Sequence, residues 1–458
     1  MQKHSRVFAA GGTGLVGSAI IKKLQEKGYT NIVANYHSRP PVTTNQYTNN
    51  QYTNTQPTNT PITWQKLDLL NTSEVEKFFK LYKPEFVFLA AAKVGGIVAN
   101  NRYRADFIYE NLQIQNNVIY QSYKHGVKKL MFLGSTCIYP KECPQPMKEE
   151  YLLTAPLEYT NEPYAIAKIA GIKMCESFNL QYGTNFISVM PTNLYGPNDN
   201  FDLEKSHVLP ALLRKMHLGK LLESGDFDTI KKDMIGMKSV IGNSSLVISD
   251  ESSNEEILQV LNHYGIKYTN TPLTTNHSPN NQSTQPSVAI EIWGSGSPRR
   301  EFLWSEDMAD ACVFLMESVD FEEISNLSIG NSYTGQNSNT QTPNPPITNN
   351  KYTSTPITNN EYTNTPVTNL PITNNEIRNT HINIGTGIDI SIKELAELIK
   401  QIVGFKGELY YNTDKPDGTP VKLTDVSKLN SLGWQYKMDL ESGIKEMYNW
   451  YLKETNDQ

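Results

Sequence analysis

The chain has 458 residues, enough for two or three domains' worth of core, and a formal net charge of −6 with 38% hydrophobic residues. This acidic balance, without a dense Lys/Arg stripe, argues against a nucleic-acid or anionic-membrane partner. Four scattered cysteines, no signal-peptide pattern and no apolar run of the roughly 18 residues that a membrane span needs favour a cytoplasmic protein without a metal site.

The chain opens with the pattern strand, glycine turn, helix. An apolar strand is predicted from Arg6 to Ala10 and a helix from Ser18 to Lys27. In the turn between them, Gly11 permits a tight bend, Gly14 lets the backbone approach a pyrophosphate, and Gly17 allows close packing of helix and strand. The helix N-terminus then faces the phosphates. The whole run is expected to bind a dinucleotide: Gly11, Gly12, Thr13, Gly14, Leu15, Val16 and Gly17.

Three tracts of Thr, Asn, Gln, Tyr and Pro interrupt the α/β pattern. They cover residues 40–63, 268–286 and 340–375 and repeat related words about every ten residues. A repeat solenoid is the alternative interpretation, but it needs a repeating apolar face, and each unit carries only one Ile, Leu or Val. Such polar repeats cannot bury enough apolar surface to order themselves, so we expect three disordered inserts.

Strands and helices alternate between these tracts, which is typical of an α/β fold. The predicted elements are a strand at Asn31–Asn35, a helix at Ser73–Leu81, a strand at Phe86–Ala92, a helix at Ala105–Tyr123, a strand at Lys129–Leu133, a helix at Tyr164–Gln181, a strand at Phe186–Met190 and an amphipathic helix at Asn254–Tyr264. We predict a Rossmann-type doubly wound parallel sheet in residues 1–200. Residues 201–458 form a smaller α/β substrate-binding domain interleaved with it.

Tyr164 and Lys168 lie four residues apart on a predicted helix and therefore project from the same face. A tyrosine has an unperturbed pKa of about 10 and is a poor acid or base at neutral pH. A neighbouring lysine favours the phenolate and brings that pKa toward working pH. Ser135 follows a strand at the same sheet edge, where its hydroxyl can hydrogen-bond a substrate carbonyl. Ser, Tyr and Lys together suit hydride transfer at a C–O carbon.

Longer blocks carry a specific resemblance. The segments Ala90–Asn101, Gly134–Pro140, Asn161–Lys173, Pro191–Asn200, Ser206–Val208, Trp293–Gly296, Arg300–Leu303 and Lys415–Thr419 closely resemble the GDP-L-fucose synthase family of extended short-chain dehydrogenase/reductases. The resemblance covers nearly all of the chain outside the repeats and the segment 221–265. It implies conversion of GDP-4-keto-6-deoxy-D-mannose to GDP-L-fucose by inversion at C3 and C5 and reduction at C4 with NADPH, in a homodimer.

The resemblance also assigns roles. Tyr164 is the proton donor at O4, Lys168 its tuner and ribose ligand, and Ser135 the carbonyl anchor, while Cys137 and His207 are the acid/base pair of the epimerisation. A thiol and an imidazole suit that task because both titrate within reach of neutral pH. The coenzyme residues implied are Leu133, Gly134, Ser135, Thr136, Lys168, Pro191, Thr192, Asn193, Leu194 and His207. Those implied for the GDP-sugar are Lys215, Trp293, Arg300, Asp417 and Lys422.

The sequence departs from the family pattern in places. Val421 stands where a basic residue is usual, and Lys215 replaces an arginine. The second strand is followed by residues 35–39 with no acidic residue, which favours NADPH, and Arg39 is the candidate partner of the 2′-phosphate. Two alternatives stay open: another nucleotide-sugar epimerase or dehydratase of the same superfamily, and a binding protein for NADP or a nucleotide sugar without turnover.

Overall fold

The computed structural model describes residues 1–38, 62–236, 248–269, 287–333 and 377–456. Its largest sheet has seven strands, all parallel. Its order is β11-β6-β5-β4-β1-β2-β3. The strands are β1 (Val7–Ala10), β2 (Ile32–Tyr36), β3 (Thr63–Lys66), β4 (Phe86–Leu89), β5 (Lys129–Leu133), β6 (Phe186–Pro191) and β11 (His381–Ile384). The chain reverses its direction of winding beside β1, as in a doubly wound Rossmann-type fold.

Helices cover both faces of this sheet. They are α1 (Leu15–Glu26), α2 (Thr72–Tyr82), α3 (Ile97–Arg102), α4 (Arg104–Lys124), α5 (Glu162–Tyr182) and, from later in the chain, α9 (Ser305–Ser318). Strand β1 shows why both faces need cover: Val7 packs into the core with α1 and α9, and Phe8 into the core with α2, α4 and α5. Successive side chains of a strand point to opposite faces, so a strand buried on both faces is apolar throughout.

A second region carries two small sheets. One contains β7 (Asn193–Tyr195), β10 (Arg299–Trp304), β12 (Asp389–Ser391) and β14 (Val421–Lys422), and the other β8 (Ile266–Thr269), β9 (Ser287–Trp293) and β13 (Glu408–Asn412). The helices here are α6 (Val208–Glu223), α7 (Phe227–Gly236), α8 (Asn254–His263), α11 (Ile392–Val403) and α13 (Leu440–Asn456). Helices α10 (Phe321–Tyr333) and α12 (Ser427–Ser431) pack instead into the core of the large sheet, through Ile324 and Leu429. Residues of α6, α8, α11 and α13 share one apolar core with β9.

The predicted elements are confirmed, with two differences at the functional edge. Helix α1 begins at Leu15 rather than Ser18, because the last glycine of the turn already belongs to its first turn. Strand β4 ends at Leu89, so residues 90–92 belong to the following loop. The amphipathic helix of the 221–265 segment is present as α8, with Ser253 as a capping-box residue.

The limits of two predicted inserts were wrong. Thr63 begins β3, where it pairs with Val33, and Tyr268 lies in β8, where it pairs with Val288. Pairing with a neighbouring strand outweighs the polar composition of these residues, because the ladder satisfies their backbone groups. The remaining parts of the predicted inserts, 40–61, 270–286 and 340–375, lie outside the described residues.

The described ranges contain neither a membrane-spanning helix nor a group of metal-binding side chains. None of their helices is both long and apolar enough to cross a lipid bilayer. No three His, Cys, Asp or Glu side chains within these ranges come together in a group that could hold a metal ion.

Candidate active site

Tyr164 and Lys168 project from the first turns of α5 beside the end of β5. Pro163 occupies the start of this helix, where its missing N–H has no intrahelical partner in any case. The Nζ of Lys168 lies 5.7 Å from the centre of the Tyr164 ring and donates a 2.8 Å hydrogen bond to the carbonyl oxygen of Leu133. The lysine is buried, so its ammonium is held between helix and strand next to the phenol.

Burial governs the protonation of both groups. It lowers the pKa of Lys168 to about 8 and raises the pKa of Tyr164 above its ordinary value. We expected Lys168 to bring the phenol toward neutral pH, but in the protein chain itself burial is the larger influence, opposed by a hydrogen bond with Ser135. Tyr164 therefore carries its proton at neutral pH, which is the state that a proton donor requires.

Ser135 and Cys137 lie on the turn that follows β5. Ser135 precedes a short 3-10 turn, and its Oγ accepts a hydrogen bond from the backbone N–H of Cys137 at 3.4 Å. Burial raises the pKa of the Cys137 thiol, while Ser135, Lys422 and Lys168 act in the opposite direction. Ser135 thus contacts Cys137, and its hydroxyl also acts on the phenol, where it lowers the pKa of Tyr164 against the effect of burial. The structure brings a hydroxyl, a thiol, a phenol and an ammonium together at one strand end.

His207 occupies the N-cap position of α6 without making a side-chain cap. Desolvation by the surrounding protein lowers the pKa of its imidazole, so the ring is neutral at pH 7 and can accept a proton. The loop that carries it is held by Gly96, whose N–H donates to the carbonyl oxygen of Lys205 at 3.2 Å. A Cβ on Gly96 would lie 3.1 Å from the Ser206 carbonyl oxygen, so glycine permits this close approach.

The glycine turn before α1 leaves room for a phosphate group. A Cβ on Gly17 would lie 2.0 Å from the carbonyl oxygen of Gly11, and one on Gly11, which has φ of +84°, would lie 2.9 Å from the backbone of Ala91. Gly14 is exposed at the N-cap of α1, so no side chain covers the helix N-terminus. Free backbone N–H groups at a helix N-terminus bind anions. These residues therefore fit the diphosphate of a dinucleotide coenzyme.

The other residues expected at the coenzyme lie at the carboxyl ends of strands along the same sheet edge. They are Gly12, Thr13, Leu15 and Val16 after β1, Leu133 at the end of β5 with Gly134 and Thr136 after it, and Pro191 at the end of β6 with Thr192, Asn193 and Leu194 after it. Thr192 Oγ1 and Asn193 Nδ2 both donate to the carbonyl oxygen of Glu301, at 3.3 and 2.8 Å, and so also connect this edge to β10. Arg39 lies outside the described residues.

Arg300 and Lys422 are partners in the parallel pair β10–β14. Nη1 of Arg300 donates to the backbone carbonyls of Arg299 and Thr419, both at 2.7 Å. Burial lowers the pKa of both cations, and Asp417 partly offsets this for Arg300. Two neighbouring cations that burial destabilises suit a diphosphate, which the planar guanidinium can bind through two hydrogen bonds.

Trp293 and Asp417 belong to a neighbouring group of residues. The Trp293 ring is 53% exposed, with the Nζ of Lys415 5.3 Å from its centre, and is free to stack on a planar ring. The Asp417 carboxylate accepts hydrogen bonds from the N–H and Oγ of Ser295 at 2.9 and 2.7 Å, so it holds the turn after β9. Gly418 lies next to Nη2 of Arg300, which links this group to the two cations.

Lys215 lies on α6 near Glu291 of β9. Burial lowers its pKa to about 8, and Glu291 acts in the opposite direction. The only side-chain acceptor among the other GDP-sugar candidates, the Asp417 carboxylate, accepts from Ser295 and, within the described residues, has no hydrogen bond from Lys215. Its predicted role toward the GDP-sugar stays a prediction.

Two buried asparagines that position the site were missed at the sequence level. Asn35 accepts a 2.8 Å hydrogen bond from the N–H of Gly11 and donates to Leu67, which fixes the glycine turn. Asn111 pairs with both backbone groups of Lys93 at 3.0 Å and so holds the loop after β4. The available signal was a polar residue on an otherwise buried strand or helix face, which demands a hydrogen-bond partner.

The coenzyme edge also contains an acidic residue that the local sequence did not reveal. Oδ1 of Asp68, which follows β3, lies 4.0 Å from Nε2 of His37 at the end of β2. Our prediction considered only the residues directly after β2. The ends of neighbouring parallel strands lie together, so residues after β3 also bear on coenzyme choice. The absence of a carboxylate directly after β2 therefore does not by itself favour NADPH.

This sheet, glycine turn and Ser–Tyr–Lys arrangement agree with a match to the model of the NAD dependent epimerase/dehydratase family over residues 7–232 and 253–330. The chain belongs to this family. Among curated proteins it is 41% identical to a putative GDP-L-fucose synthase 2 of Arabidopsis thaliana, covering 99% of this chain and 93% of that protein. It is 37% identical to the GDP-L-fucose synthase of Escherichia coli, covering 98% and 97%.

A solved structure is similar over nearly the whole chain as well. It is a GDP-mannoheptose C4 reductase from Campylobacter jejuni with NADP bound, 39% identical, with a TM-score of 0.66 and coverage of 99% of both chains. Within the family, this chain is therefore similar both to proteins named for GDP-L-fucose synthesis and to one named for reduction of a GDP-heptose.

Proposed function

We propose that this chain converts GDP-4-keto-6-deoxy-D-mannose to GDP-L-fucose by epimerisation at C3 and C5 and NADPH-dependent reduction at C4. The observation that carries the proposal is the position of Cys137 beside Ser135 and Tyr164. A reductase needs the hydroxyl, the phenol and the ammonium. A thiol in the same pocket adds an acid/base group for the carbons next to the ketone.

The reduction uses the protonation states found in the site. The glycine turn from Gly11 to Gly17 would hold NADPH, which would supply a hydride for C4. Ser135 donates a hydrogen bond to O4, and Tyr164 gives its phenolic proton to that oxygen. The Lys168 ammonium, held by Leu133, stabilises the phenolate that results.

The epimerisation precedes the reduction because it requires the ketone. The C4 carbonyl acidifies the C–H bonds at C3 and C5, and loss of either proton gives an enolate whose charge rests on O4. Cys137 and His207 act as the acid/base pair that removes a proton from one face of the carbon and returns one to the other. Ser135 stabilises the enolate oxygen through the same hydrogen bond that it uses in reduction.

The GDP moiety is assigned to the second region. Arg300 and Lys422 neutralise the diphosphate, and the exposed ring of Trp293 stacks on the guanine. Asp417 shapes the turn that presents Trp293. Lys215 adds a third cation from α6.

A second candidate function is C4 reduction of a GDP-4-keto-heptose. The 39% identity with the GDP-mannoheptose C4 reductase favours it as a specific alternative, because that figure lies within the range found for the named fucose synthases. Such a reductase has no need of inversion at C3 and C5.

One experiment separates the two. Purified protein is mixed with GDP-4-keto-6-deoxy-D-mannose and NADPH, and the absorbance of reduced coenzyme and the sugar product are followed. We expect stoichiometric NADPH oxidation with GDP-L-fucose formed, and Cys137→Ser is the matched variant that should reduce without epimerising. If the wild-type chain yields only the unepimerised 4-reduced sugar, reduction alone is the function. A folded, NADPH-binding protein without oxidation of NADPH indicates a binding protein.

We further propose a homodimer formed through α4 and α5. Apolar side chains are exposed on these packed helices, including Tyr109 at 66%, Tyr120 at 42% and Ile166 at 43%. Contiguous exposed apolar side chains are typical of an interface. The proposed location is the cytoplasm, which agrees with four cysteines that form no disulfide: Cys137, Cys143, Cys175 and Cys312.

A further inference from the structure

Two consecutive glycines in the loop after β4 lie between the phenol of Tyr164 and the turn that carries His207. A Cβ on Gly95 would lie 3.1 Å from Cζ of Phe107. The Phe107 ring in turn packs edge-on against the Tyr164 ring, with 6.3 Å between the two ring centres. Gly96, on the other side, contacts the turn before His207. The two glycines therefore connect the surroundings of one proposed catalytic group to those of another.

The turn before His207 is compact in itself and is joined to this loop through Gly96. Within the turn, Oδ1 of Asp202 accepts hydrogen bonds from two backbone N–H groups at 2.9 and 3.0 Å. The bond that crosses to the loop is donated by the N–H of Gly96 to the carbonyl oxygen of Lys205 at 3.2 Å. A Cβ on Gly96 would lie 3.1 Å from the carbonyl oxygen of Ser206, so the two backbones are in close contact.

Asn100 holds both glycines in place. This residue of α3 is 5% exposed, and its Nδ2 donates to the carbonyl oxygens of Gly95 and Gly96 at 2.6 and 3.1 Å. Its backbone N–H also donates to the carbonyl oxygen of Gly96, at 3.0 Å. Oδ1 of the same amide is buried and has no hydrogen-bond partner in the described part of the chain. Because glycine has the widest choice of backbone angles, two in succession need such restraints to keep one conformation.

We propose that Asn100 is a positioning residue for epimerisation, because the loop that it fixes sets the place of His207 relative to Tyr164. This proposal rests on the proposed function. When His207 removes a proton from C3 or C5, the C–H bond breaks, an N–H bond of the imidazole forms and the electron pair moves to O4. When it returns a proton, these changes reverse. His207 and Tyr164 must reach neighbouring atoms of one sugar, and a displacement of about 1 Å can slow such a reaction about 100-fold.

The test uses Asn100→Leu and Gly96→Ala. Leucine is close to asparagine in size but has no donor for the two glycine carbonyls. Alanine at position 96 leaves Asn100 intact and fits the backbone angles there, φ of −67° and ψ of 177°, but its Cβ presses on the Ser206 carbonyl. The two variants thus disturb the same connection at its two ends.

Epimerisation should be lost before reduction. We expect solvent-deuterium exchange into C3 and C5 of GDP-4-keto-6-deoxy-D-mannose, measured without NADPH, to fall by about tenfold or more in both variants. With NADPH present, the product should shift from GDP-L-fucose to the unepimerised 4-reduced sugar, because reduction uses Tyr164 and Lys168. Asn101→Leu, at the next and exposed residue of α3, is the matched control and should leave exchange and product unchanged.

A second readout requires no turnover. Hydrogen exchange followed by mass spectrometry reports the backbone N–H groups of residues 202–210, a segment that no variant alters. We expect these N–H groups to exchange about fivefold faster or more in the Asn100 and Gly96 variants than in the wild type or the Asn101 variant.

Unchanged deuterium exchange into the sugar together with unchanged protection of residues 202–210 would overturn the proposal. Equal losses of epimerisation and reduction with a lower melting temperature would also overturn it, since they would assign Asn100 to the stability of the fold alone. Absence of sugar exchange in the wild-type chain would contradict the proposed function. The protection of residues 202–210 would then still decide whether Asn100 holds the turn that carries His207.

Discussion

The ammonium of Lys168 donates a 2.8 Å hydrogen bond to the carbonyl oxygen of Leu133, the last residue of β5. This bond joins the helix that carries Tyr164 to the strand that delivers Ser135 and Cys137. Phenol, hydroxyl and thiol therefore hold a common geometry that neither element fixes alone. The bond also leaves the ammonium where it can stabilise a phenolate.

Lys168→Met should abolish most of the reduction. General acid catalysis contributes about 10²- to 10⁴-fold, and we expect a loss in kcat within that range, because the phenolate left by Tyr164 has no cation beside it. Since the pKa of Lys168 is lowered to about 8, its ammonium is present below that pH and lost above it, so the wild-type reduction rate should fall as pH rises through 8. Single-turnover NADPH oxidation from pH 6 to 10 measures this. Lys173→Met, on the same helix but paired with Glu176, is the control.

Gly17→Ala should prevent coenzyme binding. The new methyl would lie 2.0 Å from the carbonyl oxygen of Gly11, so the turn must open and lose its fit to the diphosphate. NADPH titration by fluorescence should show at least a tenfold rise in Kd, about 1.4 kcal/mol. Gly28→Ala is the control for loss of stability alone: its φ of +79° strains an alanine, but a Cβ there meets nothing within 4 Å and the residue lies outside the glycine turn. Equal affinity in both variants would mean that the diphosphate binds elsewhere.

Arg300→Lys should raise the KM for the GDP-sugar by about tenfold and change kcat little. Lysine keeps the charge but loses the planar fork that binds two phosphate oxygens at once. Steady-state kinetics with saturating NADPH separate the two constants. Arg299→Lys is the control. Arg299 precedes Arg300 on β10, so its side chain points to the opposite face of the strand, where it pairs with Asp389. A lower kcat at unchanged KM would place Arg300 at the reacting sugar instead.

Asp233→Asn should lower the free energy of unfolding by about 3–5 kcal/mol, because it leaves the buried guanidinium of Arg214 without its counter-charge. Nε and Nη2 of Arg214 donate to Asp233 at 2.9 and 2.8 Å, and Tyr451 also hydrogen-bonds this carboxylate. Thermal and urea unfolding provide the measurement. Lys445→Ala, which removes an exposed pair with Glu441, should leave stability unchanged. Similar small effects in both variants would show that water reaches Arg214.

Ile166→Glu should convert the proposed dimer to a monomer. Ile166 is exposed on α5, which packs against α4, and a charge buried at the proposed interface has no partner. Light scattering coupled to size-exclusion chromatography measures the mass. Leu81→Glu alters an exposed residue of α2 and should leave the dimer intact. A dimer that persists in the first variant assigns the interface to another surface.

The sheet could be predicted because the burial of its strands is evident from their own apolar residues. Phe8 and Val7 are both apolar since β1 is covered on both faces, and Gly11 and Gly17 specify the turn because a Cβ at either position would clash with backbone. The boundary at Thr63 was wrong for the opposite reason. Its membership of β3 depends on Val33, about thirty residues earlier, and no local composition reveals that pairing.

The sequence by itself determined the class of fold, the dinucleotide turn and the Tyr164–Lys168 pair, because periodicity, glycine spacing and i, i+4 pairs are local properties. Ser135 was predicted from its place after a strand, and Cys137 from the family resemblance. Only the tertiary structure decided that burial holds the Tyr164 proton, that Asp68 lies near His37, and that the Asn161 side chain does not cap α5. These depend on which surfaces exclude water and which elements meet. Desolvation and long-range contacts are fixed by packing, not by neighbours along the chain.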